Sequence, residues 1–208
     1  MPSHPASSSP APTGSGSRRL YRIAAAMSRR ALATAATVAL VATASAGMAG
    51  CSSADHPLAV EEGTPVFLGN LEYAVQISRF LNPKDAEDKA YLKGAPPLPR
   101  DAYYFGVFLE VNNHGSTREG LPTRYAVTDT EHNAYLPIKL HNDFTMPLGG
   151  SIAPGGRLPD PESIAGNGPI GGMMLLFGIR TPSLENRPLT LKIPAAGDGA
   201  PGRIELDL

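Results

Sequence analysis

The chain has 208 residues, 42% of them hydrophobic, with 22 Gly, 21 Pro, one Cys, no Trp and a formal net charge of −1. A single cysteine excludes an internal disulfide, and the missing Trp excludes the tryptophan core of antibody-type domains. Arg18, Arg19, Arg22, Arg29 and Arg30 are the only Lys, Arg, Asp or Glu residues before position 51, so the rest of the chain carries 13 basic and 19 acidic residues. Such a mildly acidic segment lacks the basic stripe that nucleic acid requires, so no nucleic-acid partner is expected.

Residues 1–20 are Pro, Ser and Gly with almost nothing to bury, and they are expected to be disordered. From Met27 the sequence has the three parts of an export signal: Arg29 and Arg30, an uncharged and moderately apolar run over Ala31–Ala46, then small residues up to Gly50. The uncharged stretch 31–54 is long enough to span a bilayer. Its many Ala, Thr and Ser residues, with Gly47 and Gly50 at its end, weaken a stable span and favour a cleaved signal. A signal starting at Met27 has ordinary proportions, whereas one starting at Met1 has a long n-region. Residues 1–26 therefore read as an extension before a second candidate start. "SRRAL" (28–32) partly matches a twin-arginine export motif but lacks its Phe and Lys.

The lone cysteine sits at the end of this signal. Met48-Ala49-Gly50-Cys51 resembles the lipobox of bacterial lipoproteins, with Met48 where Leu is usual. The resemblance implies that the Cys51 thiol receives a diacylglyceryl group and that a peptidase cuts between Gly50 and Cys51. Acyl chains in pairs give stable anchoring, which a single chain does not. The expected address is the extracytoplasmic face of the cell membrane, with membrane lipid as the partner of acylated Cys51. Residues 51–63 are polar and read as a tether.

From residue 64 the apolar pattern has period two. "LEYAVQI" places Leu71, Tyr73, Val75 and Ile77 on one face, and "YYFGVFLEVNN" places Tyr103, Phe105, Val107, Leu109 and Val111 on one face. Further strands are expected at 64–69, 124–129, 134–140, 171–179, 189–194 and 203–208, with turns at 112–116, 129–133, 153–157 and 195–200. Seven or eight short strands over 64–208 predict an all-β, antiparallel immunoglobulin-like sandwich with edges guarded by prolines. The stretch 79–101 interrupts the pattern. "PKDAEDKAYL" predicts a short helix near 82–92, with Asn82 as N-cap and Pro83 at its first position, followed by the stiff "GAPPLPR".

The succession "YYFGVFLEVNNHGS", "YAVTDTEHNAYLPI", "LGGSIAPGGRL" and "GGMMLLFGI" resembles immunoglobulin-like domains of Gram-positive, actinobacterial-type extracytoplasmic lipoproteins. Its marks are an Asn-Asn-x-Gly-like turn after a hydrophobic strand, a D-x-x-x-x-x-Y segment from Asp129 to Tyr135, and a Pro154-Gly155 turn. The resemblance covers 103–194, the 79–101 insertion departs from it, and it implies fold and location without an activity.

Signatures of catalysis are missing. There is no Gly-x-Ser-x-Gly elbow, no phosphate loop and no dinucleotide fingerprint. Glu110 with Asp129 or Glu131 would be the carboxylate pair for glycoside hydrolysis, but Glu110 is expected on a solvated strand face. His114 and His132 in two turns, or His141 with Met146 as a soft pair for copper, are the candidate metal ligands. Calcium at 82–89 lacks the tight Gly turn. The expectation is a binding module without an enzymatic role or cofactor. It meets a protein partner of the cell envelope through the 79–101 insertion and the Gly/Pro-rich stretch 146–172. Copper handling is the alternative.

Overall fold

The computed structural model describes residues 58–195 and 199–208, so the expected export signal, the lipobox with Gly50 and Cys51, and His56 lie outside the described residues. In chain order the elements are β1 (Ala59–Glu61), β2 (Val66–Leu68), β3 (Leu71–Leu81), helix α1 (Asp88–Tyr91) and β4 (Ala102–Asn113). Then follow β5 (Glu119–Gly120), β6 (Ala126–Thr128), β7 (Ala134–Tyr135), β8 (Ser151–Ile152) and β9 (Arg157–Leu158). The last are β10 (Met173–Arg180), a 3-10 turn at Thr181–Leu184, β11 (Leu189–Ile193) and β12 (Gly202–Leu206).

The fold is an all-β sandwich. One sheet has the order β1-β12-β11-β6-β7, and the other β10-β4-β3-β2 with β9 also paired to β4. A short β5-β8 pair stands apart. All pairings between these strands are antiparallel except β1 with β12. The strands exceed the expected seven or eight because several are pieces of two or three residues. One of them, β1, falls within the stretch read as a tether. β3 and β4 are direct neighbours that close the 82–101 insertion between them.

The main core lies between the sheets. Phe105, Val107, Leu109 and Val111 of β4 face Val127, Leu191, Ile193 and Ile204 of the opposite sheet, all fully buried. The period-two expectation fails at one end of each of its two strands. A register shift between Val75 and Ile77 marks a bulge, and the extra residue switches parity. Ile77 is therefore 37% exposed, and Ser78 takes the buried position. Tyr103 is 51% exposed and rests edge-on against Phe80, with ring centroids 6.1 Å apart.

A second apolar cluster covers the other face of the β10-β4-β3 sheet. It joins Leu81, Tyr91, Phe108, Leu140, Met174 and Leu176. Tyr91 of α1 packs edge-to-face on Phe108 at 5.0 Å and on Phe144 at 4.6 Å. The insertion is thus a lid on a sheet face. Its helix is shorter than expected and does not begin at Asn82, whose Oδ1 accepts from Lys84 N in a turn. Asp88, buried, accepts from Arg79 Nη2 at 2.5 Å and from Asn82 N at 2.7 Å, which folds the insertion back onto β3.

Glu62 joins the sheets where β1 ends. Its carboxylate accepts from Ser78 N at 2.7 Å, Ser78 Oγ at 2.6 Å and Asp207 N at 3.0 Å. Ser78 is available for this because the bulge turned it inward.

Candidate binding cleft

The segment 134–140 is a strand only over Ala134–Tyr135. Pro137 has no N–H to continue a ladder. The chain instead runs along the outer edge of β10 in two separate touches. Ile138 N donates to Leu176 O at 2.7 Å; Met174 N donates to Phe144 O at 2.6 Å, and Met146 N to Met174 O at 2.9 Å. Residues 139–143 bow away between the touches. The bow opens a cleft of about 640 Å³, with a floor from Leu140, Met146, Met174 and Leu176 and a rim that includes Lys139, His141, Asp143 and Leu148. That volume lies in the range of small-ligand and side-chain pockets.

The backbone in this cleft is incompletely paired. On an antiparallel strand a residue's N–H and C=O point the same way. Leu176 O points outward to Ile138, so Leu176 N–H points outward too, and it has no hydrogen-bond partner among the described residues. Large apolar side chains stand near this opening: Leu148 is 38% exposed, and Leu136, just before the lining segment, is 68% exposed.

The candidate metal ligands are scattered. His114 Nε2 lies against Glu72 Oε2, and its ring tilts against Phe67 at 6.1 Å. It follows β4 beside Asn70, at the end of the sandwich where β12 begins. His132 occupies the β6–β7 turn with φ of 65°, at the end where β12 finishes. The two turns do not approach each other, because β4 and β6 leave their sheets at opposite ends. His141 and Met146 do line one cleft, but Met146 is buried in the main core while His141 stands exposed on the rim. Among the described residues no group of three or more His, Cys, Asp or Glu is placed to hold a metal ion.

The carboxylates are likewise apart. Glu110 lies 3.7 Å from Arg157 on the β4 sheet. Asp129, at the end of β6, accepts from Asn133 N at 2.9 Å and from Asn133 Nδ2 at 2.8 Å. Burial opposes its ionisation, yet donors from Asn133, Ser183 and Asn186 hold its pKa down to about 2. The D-x-x-x-x-x-Y segment is therefore a clamped turn, closed at its far end by Tyr135 Oη and Ser183 Oγ at 2.5 Å. The Asn-Asn-x-Gly turn is structural as well. Buried Asn113 spreads its amide over Thr117 O, Ile152 O and Ala153 O at 2.8–3.1 Å, and accepts from Gly115 N. A Cβ on Gly115 would stand 2.8 Å from the Asn70 side chain, so Gly is required by close approach.

Of the two surfaces expected to bind, the 79–101 insertion only borders this cleft, supplying the neighbouring cluster through Tyr91, and the stretch 146–172 lines it with Met146, Pro147 and Leu148 alone. Residues 160–167 fold on themselves, with Ser163 N and Oγ donating to Asp160 O and Asn167 Nδ2 donating to Pro161 O. The segment 137–143 was missed because "AYLPIKL" reads as a strand. Its proline was the available signal.

No protein-family model matches the chain, and no curated protein matches it. Among solved structures it is similar to the yjhA protein of Bacillus subtilis, with 11% identity over 71% of this chain and 98% of that one and a TM-score of 0.42. It is similar to an uncharacterized beta-sandwich protein of Clostridium difficile 630, with 12% identity over 72% and 93% and a TM-score of 0.40. A candidate lipoprotein of Bacillus subtilis, ycdA, gives 10% identity over 70% of this chain and 39% of that one, with a TM-score of 0.41.

Proposed function

We propose that the protein is a membrane-anchored extracytoplasmic lipoprotein whose sandwich is a binding module for an extended segment of a cell-envelope protein. The anchor reading is supported by Arg29, Arg30, the apolar run after them and Met48-Ala49-Gly50-Cys51. The binding reading is carried by the cleft on the edge of β10. An apolar floor meets an outward, unpaired Leu176 N–H there, and an extended chain can supply both an apolar side chain and a carbonyl. No step of covalent chemistry is assigned to the site.

Selection of random peptides on the immobilised protein tests the binding reading. The expected winners place an apolar side chain beside a free backbone carbonyl. They lose affinity about tenfold or more for Leu148→Glu, which puts an unpaired charge on the rim. Peptides that bind wild type and Leu148→Glu equally would contradict the assignment of the site.

A further inference from the structure

The outer face of the β1-β12-β11-β6 sheet carries an ordered charge pattern. The register sets Ala59 beside Arg203, Arg203 beside Lys192, and Lys192 beside Ala126. Arg124 precedes Ala126 by two residues, and the alternation of exposed Arg124, buried Tyr125, half-buried Ala126 and buried Val127 puts it on the same side. Arg203 and Arg124 are exposed and Lys192 is half-buried. None of the three has a side-chain hydrogen bond or ion pair among the described residues. Two residues further along the strands, Glu61 and Glu205 stand side by side on the same face. Like charges directly opposite each other across strands are unfavourable in isolation. Here both like pairs are kept, basic at one end of the face and acidic beyond it.

The basic end is where the chain arrives from Cys51. Leu58 immediately precedes β1, is 38% exposed, and its carbonyl accepts from Arg203 N at 2.7 Å. Seven residue steps separate Cys51 from Leu58, which reach at most ~25 Å even when fully extended. Among the described residues, Glu72 of β3 and Glu119 of β5, which lie near this end, are engaged: Glu72 with His114, and Glu119 with Asn70 and Thr117. The geometry points to a second membrane contact: Arg124, Lys192 and Arg203 dock this end of the sandwich on the anionic headgroups of the bilayer that holds the anchor. This rests on the lipid anchor proposed above. The pattern then fixes orientation. The basic row falls within a Debye length of the charged surface, the Glu61–Glu205 pair points away, and the cleft on the opposite sheet stays open to partners.

The test mixes the full-length protein, as expressed, with vesicles of phosphatidylcholine alone or of phosphatidylcholine with phosphatidylglycerol. Acetylation rates of single lysines are read by mass spectrometry. The expected result is flotation with both vesicles and a drop of about threefold or more in Lys192 acetylation on the anionic ones, as a contact within the Debye length gives. Lys84 and Lys139 should be unchanged, and high salt should restore Lys192. Arg124→Gln with Arg203→Gln should abolish the drop, and Glu61→Gln with Glu205→Gln should keep it. Flotation with both vesicles and equal Lys192 rates would overturn headgroup docking while leaving the anchor intact. Flotation with the anionic vesicles only would support docking and remove the anchor. Flotation with neither would overturn both.

Discussion

Asn113 shows how one amide can fasten separate segments. Two N–H groups serve three carbonyls, from the loop after β4 and from the β8 region; the bond to Ile152 O is buried and those to Thr117 O and Ala153 O are partly buried. Asn113→Ala strands those carbonyls and should cost about 2–3 kcal/mol, read as a lower urea midpoint. A loss below ~0.5 kcal/mol would mean the loops close without it. Asp129 makes a different prediction because its contribution depends on pH. Its folded pKa of about 2 lies below the ordinary Asp value of ~3.9. The stabilisation is therefore present above about pH 4 and is lost as pH falls from there through about 2. Asp129→Asn should cost about 1–2 kcal/mol at neutral pH, and the gap to wild type should close toward pH 2. A gap that stays constant with pH would contradict the charged clamp.

The elements explain why the sheet that carries the cleft has two faces to cover. In β4, Val107, Phe108 and Leu109 are all fully buried, and in β10 Met174, Leu175, Leu176 and Phe177 nearly so. Phe108 is the keystone of the second layer, between Leu81, Tyr91 and Met174. Phe108→Ala should cost about 3–5 kcal/mol. Hydrogen exchange should accelerate first at 88–95 while β11 and β12 stay protected. Uniform acceleration across both sheets would show that the insertion is part of the main core.

The same two strands mark how far the sequence was legible. Their continuous apolar runs, "VFL" and "MMLLF", are the signature of strands buried on both faces, and period-two counting passes over it. The turns at 112–116, 129–133 and 153–157, the long strands and the class of fold follow directly from local pattern, whereas the turn expected at 195–200 lies partly outside the described residues. The bulge at Gln76 does not, since one extra residue leaves no mark in the alternation until the partner strand is known. The cleft escapes for a related reason. It exists because a proline-bearing segment lies along a sheet edge, and the path of that edge is a tertiary fact. His141 and Met146 were named for metal, and they do share a cleft, but one is core and the other rim.

At the scale of the whole molecule, the two proposed contacts lie on different sheets of the sandwich. The β1-β12 side receives the chain from Cys51 and carries the basic row. The β10 edge, on the other sheet, carries the open cleft. Glu62 ties the first side to the second through Ser78 and Asp207. This division has meaning only if the chain is held to a membrane at Cys51. The decisive measurement is membrane partition with the intact mass of the expressed full-length protein, beside Cys51→Ala. Wild type should partition to the membrane, begin at Cys51 and carry added acyl mass, whereas Cys51→Ala should keep an uncut signal and gain no acyl mass. Identical processing and identical partition of the two proteins would contradict the anchor and, with it, the orientation of the sandwich proposed here.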